Sequence, residues 1–220
     1  MRICKGDSFE RVYLNEPVNL QLEQEAGSRV KIVVVDFETS NCRALEIANR
    51  ITIEQQGEGC VTEIYALAWL QGTDRVTTET KVTHAVGGGR SEQLVKYVLD
   101  GQSKGRFVGE LKIAPDAQEV EAHQTNRNIL LSEEAEMRTQ PQLEIYADDV
   151  KATHGASTGQ LDESALFYMQ QRGIDPGCAR QLLIGAFMKE ILEEACAVGG
   201  ETAALQDVRD LLNAIDGVVE

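Results

Sequence analysis

Apolar and polar residues alternate through much of the first 160 positions, the period of a half-buried β-strand. Val18-Asn19-Leu20-Gln21-Leu22 and Ile51-Thr52-Ile53-Glu54 alternate cleanly, and Val30 to Phe37 is a denser β-branched run. Further predicted strands are Val61 to Leu70, Arg75 to Thr83, Gly105 to Ile113, Glu119 to His123, Gln142 to Tyr146 and Val150 to His154. Polar or glycine-bearing breaks, such as Gln55-Gln56-Gly57-Glu58-Gly59 and Gly87-Gly88-Gly89, separate them. No segment before Gln160 keeps a helical period. Many short strands without intervening helices exclude a doubly wound βαβ sheet and leave a sandwich, a barrel or a β-helix. The irregular polar turns, in place of tight Asn-Gly hairpins, lean toward a solenoid of stacked rungs. Periodicity alone leaves the sandwich open, because no clean short repeat is visible.

The last 60 residues change period. Asp162-Glu163-Ser164 places acid at a helix start, Leu166, Phe167 and Met169 supply an apolar side, and Gly173 sits where a left-handed C-cap belongs. A second helix opens at Asp175-Pro176, an N-cap followed by proline at the first helical position. Leu182, Leu183, Ala186, Phe187, Ile191, Leu192 and Ala195 form its apolar stripe, and Gly199-Gly200 ends it. A third helix, capped by Thr202, runs through Leu205, Val208, Leu211, Leu212 and Ile215 to Gly217. The expected division is a β core over 1–158 and a helical region over 159–220. The helices are expected to cover the end of the β body, or to present a stripe to another protein.

Charge narrows the partners. The 220 residues hold 21 Lys plus Arg against 36 Asp plus Glu, a formal net charge of -15. Nucleic-acid binding rests on cations displacing counterions, so it is excluded as a function class. The acid is uneven: Met1 to Pro115 carry 14 basic and 16 acidic side chains, Asp116 to Glu220 carry 7 and 20. Cys4, Cys42, Cys60, Cys178 and Cys196 are scattered, odd in number and never in a C-x-x-C pair, the usage of a reducing compartment. The opening residues lack a signal-peptide apolar region, and no apolar run approaches the roughly 18 residues of a membrane span. A soluble, cytoplasmic chain with no membrane partner is expected.

Catalytic motifs are sparse. There is no phosphate-binding G-x-x-x-x-G-K-[ST] loop and no G-x-S-x-G nucleophile turn. Gly87-Gly88-Gly89-Arg90 opens no dinucleotide-binding unit. His84, His123 and His154 are far apart, so a metal site must be assembled by folding or shared with another chain. His154 lies in the densest polar cluster, Tyr146 to Ala156, where a neutral imidazole can ligate a transition metal or simply bond in a turn. Asp148-Asp149 could orient it, bind a cation or cap backbone amides. Paired carboxylates of a β-helix enzyme on carbohydrates, a lyase or hydrolase, form the alternative functional class, although no pair stands out.

One set of motifs is specific. Gln124-Thr125-Asn126-Arg127-Asn128-Ile129-Leu130-Leu131, Pro141-Gln142-Leu143-Glu144-Ile145-Tyr146-Ala147-Asp148-Asp149-Val150-Lys151, His154-Gly155-Ala156, Leu166-Phe167-Tyr168 and Arg172-Gly173-Ile174 closely resemble the SufB/SufD family of iron–sulfur cluster assembly proteins. His84, Ser91, Leu94 and Lys96 resemble its pattern less diagnostically. The resemblance implies a right-handed parallel β-helix followed by C-terminal helices. It implies a noncatalytic scaffold subunit pairing with SufB and binding the ATPase SufC through the helical region, with Phe167, Tyr168, Arg172, Gly173 and Ile174 on the ATPase-facing segment. His154 matches a family histidine implicated in cluster formation at the SufB interface. The position two before it, often cysteine in relatives, is Ala152, and another family cysteine position is Gly89. The resemblance therefore implies no cofactor bound stably by this chain alone, a transient iron–sulfur cluster at the interface with SufB, and thiolates supplied by SufB. Self-association as a homodimer is a further expectation for the isolated chain, as is a shorter length than typical members.

Overall fold

The computed structural model describes residues 1–37, 44–199 and 205–217. The chain forms β1 (Arg2–Ile3), β2 (Ser8–Leu14), β3 (Asn19–Gln24), β4 (Arg29–Phe37), β5 (Glu46–Gln55), β6 (Val61–Leu70), β7 (Arg75–His84), β8 (Arg90–Leu99), β9 (Lys104–Ile113), β10 (Val120–Leu130), β11 (Glu136–Ile145) and β12 (Val150–Gly159). Then follow α1 (Glu163–Gln171), α2 (Pro176–Gly199) and α3 (Gln206–Gly217). Odd-numbered strands form one sheet in the order β1-β3-β5-β7-β9-β11, and even-numbered strands form the other, β12-β10-β8-β6-β4-β2. Every pairing is parallel, as in β6 with β8 and β7 with β9. Each circuit of the chain lays one strand in each sheet, and the circuits stack as rungs of a parallel β-helix. That settles the choice between solenoid and sandwich.

The rungs explain why no clean repeat was legible. Glu46 pairs with Arg75 and Arg75 with Lys104, steps of 29 residues, whereas Lys104 pairs with Glu136, a step of 32. Corner loops of unequal length spoil a fixed period while the strands stay in register. Gly57 turns one such corner, where a Cβ would fall 1.9 Å from the backbone nitrogen of Ala26. The Gly87-Gly88-Gly89 run is the equivalent corner one rung on, not a phosphate cradle.

Two apolar cores result. The first fills the solenoid with inward-facing Val30, Ile32 and Val34, Ile51 and Ile53, Ile64, Tyr97, Phe107 and Leu111. The second lies outside the even sheet, where Val33, Val35, Tyr65, Leu67, Leu94 and Val98 meet Met188, Ile191, Leu192 and Ala195 of α2 and Val208 of α3. The unbroken Val30 to Phe37 run is now intelligible, since β4 is buried on both faces. The helices therefore cover a sheet face and not the end of the β body. Within α2 the buried side is Ala179, Gly185, Met188, Ile191, Leu192 and Ala195, while Ala186, expected in the stripe, is exposed.

The helix signals match their geometry. The Asp162 carboxylate accepts from Ser164 and Ala165 amides, Gly173 takes φ +86°, and Asp175 caps α2 by accepting from Gly177 at 2.8 Å. The expected cap Thr202, with Gly200 and Cys42, lies outside the described residues. Ser8–Leu14 and Arg90–Leu99 are strands that periodicity missed. In β8, Ser91 and Gln93 face inward and Lys96 is buried outward beneath α2, which erases the apolar alternation.

Candidate functional site

The last rung of the solenoid is open. β12 pairs only with β10 and β11 only with β9, so both end their sheets, and almost every residue of β12 is exposed. An edge of this kind presents unpaired backbone donors and acceptors. His154 lies on it. Register places His154 beside Gln124, Gln124 beside Gln93 and Gln93 beside Ile64, so the four share the inward face at successive rungs. Thr153 faces outward, where His123 Nδ1 lies 2.8 Å from its hydroxyl. His123 in turn approaches Glu121 at 3.4 Å, and Glu121 accepts from Arg90 at 2.7 Å. The His123 and Arg90 partners hold the Glu121 carboxyl below its ordinary range.

Beneath His154 the column is polar and incompletely satisfied. Thr80 donates to Gln93 Oε1 at 2.6 Å, and Gln124 Nε2 donates to the same oxygen at 3.4 Å. Gln93 Nε2, Gln124 Oε1 and Thr139 Oγ1 are buried without a hydrogen-bond partner. Gly109 of β9 makes room for this amide, since a Cβ there would fall 2.3 Å from Gln124 Nε2.

An exposed imidazole at this edge can offer a ring nitrogen to a metal, yet the chain does not complete a ligand set. Among the described residues no three His, Cys, Asp or Glu side chains converge as a metal group. None of the free cysteines Cys4, Cys60, Cys178 and Cys196 lies on β11 or β12. Ala152 packs against the solenoid core. At Gly89 a Cβ would meet Gln55 Oε1 at 2.3 Å and His84 Nδ1 at 2.9 Å, so a cysteine does not fit without displacing the buried glutamine. Asp148 and Asp149 sit in the turn before β12; the Asp149 amide donates to Gln118 Oε1 at 2.9 Å, and among the described residues neither carboxylate bonds His154. A metal at His154 therefore needs further ligands from a second chain.

The second group of candidate residues is on α1. Phe167 and Tyr168 are 63% and 60% exposed, and no residue of α1 is buried. Arg172 donates to the Tyr168 hydroxyl at 3.0 Å, with its guanidinium 5.2 Å from the ring centre. Gly173 and Ile174 close the helix, the Ile174 amide donating to the Met169 carbonyl at 3.2 Å. The turn thus holds Phe167, Tyr168 and Arg172 on an exposed knob between β12 and α2.

Several carboxylates are engaged in ion pairs. On the outer faces Glu79 pairs with Arg50, Glu110 with Lys81 and Glu136 with Lys104. Lys104 first, then Arg138 and Arg75, hold Glu136 below the usual carboxylate range. The carboxyl that burial raises, Asp36, to about 7, faces the sealed interior against Asn49 and not a cleft. An acid–base pair for glycoside cleavage needs one carboxyl kept protonated beside a substrate groove.

The comparisons agree with this arrangement. Residues 16–187 match the family profile described as SUF system FeS cluster assembly, SufBD core domain. The chain is 35% identical over 147 residues to the iron-sulfur cluster assembly protein SufD of Escherichia coli, covering 67% of this chain and 35% of that protein. It is 34% identical to an iron-sulfur cluster assembly SufBD family protein of Synechocystis, covering 86% and 39%. It is 32% identical to protein ABCI7, chloroplastic, of Arabidopsis thaliana, covering 80% and 39%. The chain thus matches somewhat over a third of the length of these curated relatives. Among the described residues no helix is long and apolar enough to cross a membrane.

Proposed function

We propose that this chain, which belongs to the SufBD core domain family of the SUF system, is a noncatalytic scaffold subunit of iron–sulfur cluster assembly in a reducing, cytoplasm-like compartment. Its SufB-like partner pairs at the open last rung, and its SufC-like ATPase docks on the α1 knob. The observation that carries the reading is the position of His154, exposed on an unpaired edge where a second chain both completes the sheets and brings further ligands. The cluster is cargo: His154 supplies one ring nitrogen, and soft thiolates come from the partner. Phe167, Tyr168 and Arg172 offer the aromatic and guanidinium anchors that interfaces favour, with Gly173 and Ile174 shaping the turn beneath them.

The test is co-expression with SufB-like and SufC-like proteins, followed by iron and sulfide analysis of the purified complex. His154→Ala is expected to keep the complex and lose most of the iron and sulfide. Replacing Phe167 and Tyr168 by Ala is expected to weaken ATPase capture at least tenfold without changing the β-helix. Unchanged cluster content in the first variant removes His154 as a ligand, and unchanged capture in the second removes the α1 surface.

A further inference from the structure

His154 has no side-chain partner of its own on the last rung, yet the residue directly beside it in register, Gln124, holds a buried carbonyl oxygen with none. Gln124 is 1% exposed. Its amide nitrogen is directed to Gln93 Oε1 in the rung below, an oxygen already taken by Thr80, which leaves Oε1 as the free end of the amide. Register neighbours on one face of a sheet have Cβ atoms roughly 5 Å apart, a separation an imidazole and a glutamine amide can span with one hydrogen bond. A buried acceptor without a partner has given up its hydration and gained nothing in return. A ring N–H of His154 turned inward relieves that cost: His154 is the last-rung residue in register with Gln124, whereas the likewise unpartnered Thr139 hydroxyl lies on the other sheet.

We propose that Gln124 is the positioning residue of His154. Its Oε1 accepts one ring N–H of His154, selects a single neutral tautomer, and leaves the other ring nitrogen facing out of the open end with its lone pair toward the second chain. Histidine ligands commonly fix their tautomer through such a second bond. The amide column Gln93–Gln124 thereby links the interior of the solenoid to the edge at which a partner docks. The proposal rests on the functional reading above only for what the outward nitrogen binds; the orientation of His154 is a property of this chain.

The experiment is long-range proton–nitrogen correlation NMR on the full chain labelled with nitrogen-15 histidine, at a pH of about 8, where an ordinary imidazole is neutral. In the native chain His154 is expected to show one protonated and one bare ring nitrogen. Gln124→Met, which keeps the length and removes the acceptor, shifts both nitrogens toward the averaged values of a mixture. Gln124→Glu, which keeps an acceptor, restores the single tautomer. His84, whose Nε2 lies 2.8 Å from Ser91 Oγ inside the solenoid, reports in the same spectra that the fold is intact. An unchanged His154 pattern in Gln124→Met, with His84 undisturbed, overturns the proposal. If the tautomer responds while His154→Ala leaves the iron content of the complex unchanged, the positioning stands and the ligand reading falls.

Discussion

Two buried ionisable groups pull stability in opposite directions with pH. Burial lowers the His84 imidazole to about 4, so the folded chain refuses a proton that the unfolded chain accepts at about 6.5. Its contribution is complete above the unfolded value and is lost as pH falls toward 4. Across this window that amounts to about 3 kcal/mol, and to about 2 kcal/mol between pH 7 and pH 5. Asp36 behaves inversely: burial raises it to about 7, opposed by the hydrogen bond from Asn49, so the folded chain favours the protonated form and loses stability as pH rises from about 4 through 7. Urea unfolding of the native chain should therefore vary little between pH 5 and 7, while variants separate the two groups. His84→Gln gains on the native chain by about 2 kcal/mol on going from pH 7 to pH 5. Asp36→Asn gains by about 3 kcal/mol on going from pH 5 to pH 8. Parallel curves for variant and native chain would remove either assignment. His154 and the α1 residues are singled out by their motifs, and the structure leaves their side chains exposed, where nothing in the core requires them. The Gln93–Gln124 column and the Asp36–Asn49 pair were not legible in the sequence, since inward-facing polar residues read as breaks in an apolar pattern and their partners lie 31 and 13 residues away in sequence.

At the scale of elements, β8 and α2 form the joint between the solenoid and the helical region. Lys96 is 3% exposed, and its ammonium donates to the Phe187 carbonyl at 2.9 Å and to the Glu190 carboxylate at 2.7 Å, above the Phe187 ring. Lys31 pairs with Glu194 two rungs away on the same sheet face. These contacts fix the rotation of α2 over an apolar bed that alone would tolerate sliding. Lys96→Met keeps the stem and removes the charge, so the Phe187 carbonyl loses its charged donor and keeps only its helical partner, while Glu190, largely exposed, returns to water. The expected cost is about 1–3 kcal/mol. Hydrogen exchange should locate it in α2, with amides there exchanging about tenfold faster or more and those of β5, β7 and β9 unchanged. Equal acceleration throughout would show that helix and solenoid open as one unit. The same joint explains what the sequence concealed at this scale. Helix starts and stops were readable because caps are local chemistry, whereas the face that α2 covers depends on β-strands brought together only by the rung register.

For the whole molecule, the charge and the open rung act together. Part of the acid excess after Pro115 holds the helices to the solenoid, through Glu190 on Lys96 and Glu194 on Lys31 of the even sheet. The last rung itself is nearly uncharged along Ala152 to Gly159 apart from its histidine. Little electrostatic repulsion therefore protects the unpaired β12 edge, and such edges pair with whatever strand is available. In the isolated chain the strand at hand is β12 of another copy, which is expected to join antiparallel about a two-fold axis near the middle of the strand, so that its central residues lie close to their counterparts. Light scattering on the eluting protein should then show a mass rising from 24.2 kDa toward twice that value with concentration. Ala156→Lys places like charges across that axis and blunts the edge, and because Ala156 is exposed it leaves the solenoid intact. The variant is expected to weaken self-association at least tenfold, and to reduce capture of a SufB-like partner if that partner uses the same edge. A native chain that stays monomeric at every concentration would show that the open rung is closed by something other than β12 pairing. A variant that dimerises normally yet fails to capture the partner would separate the two interfaces.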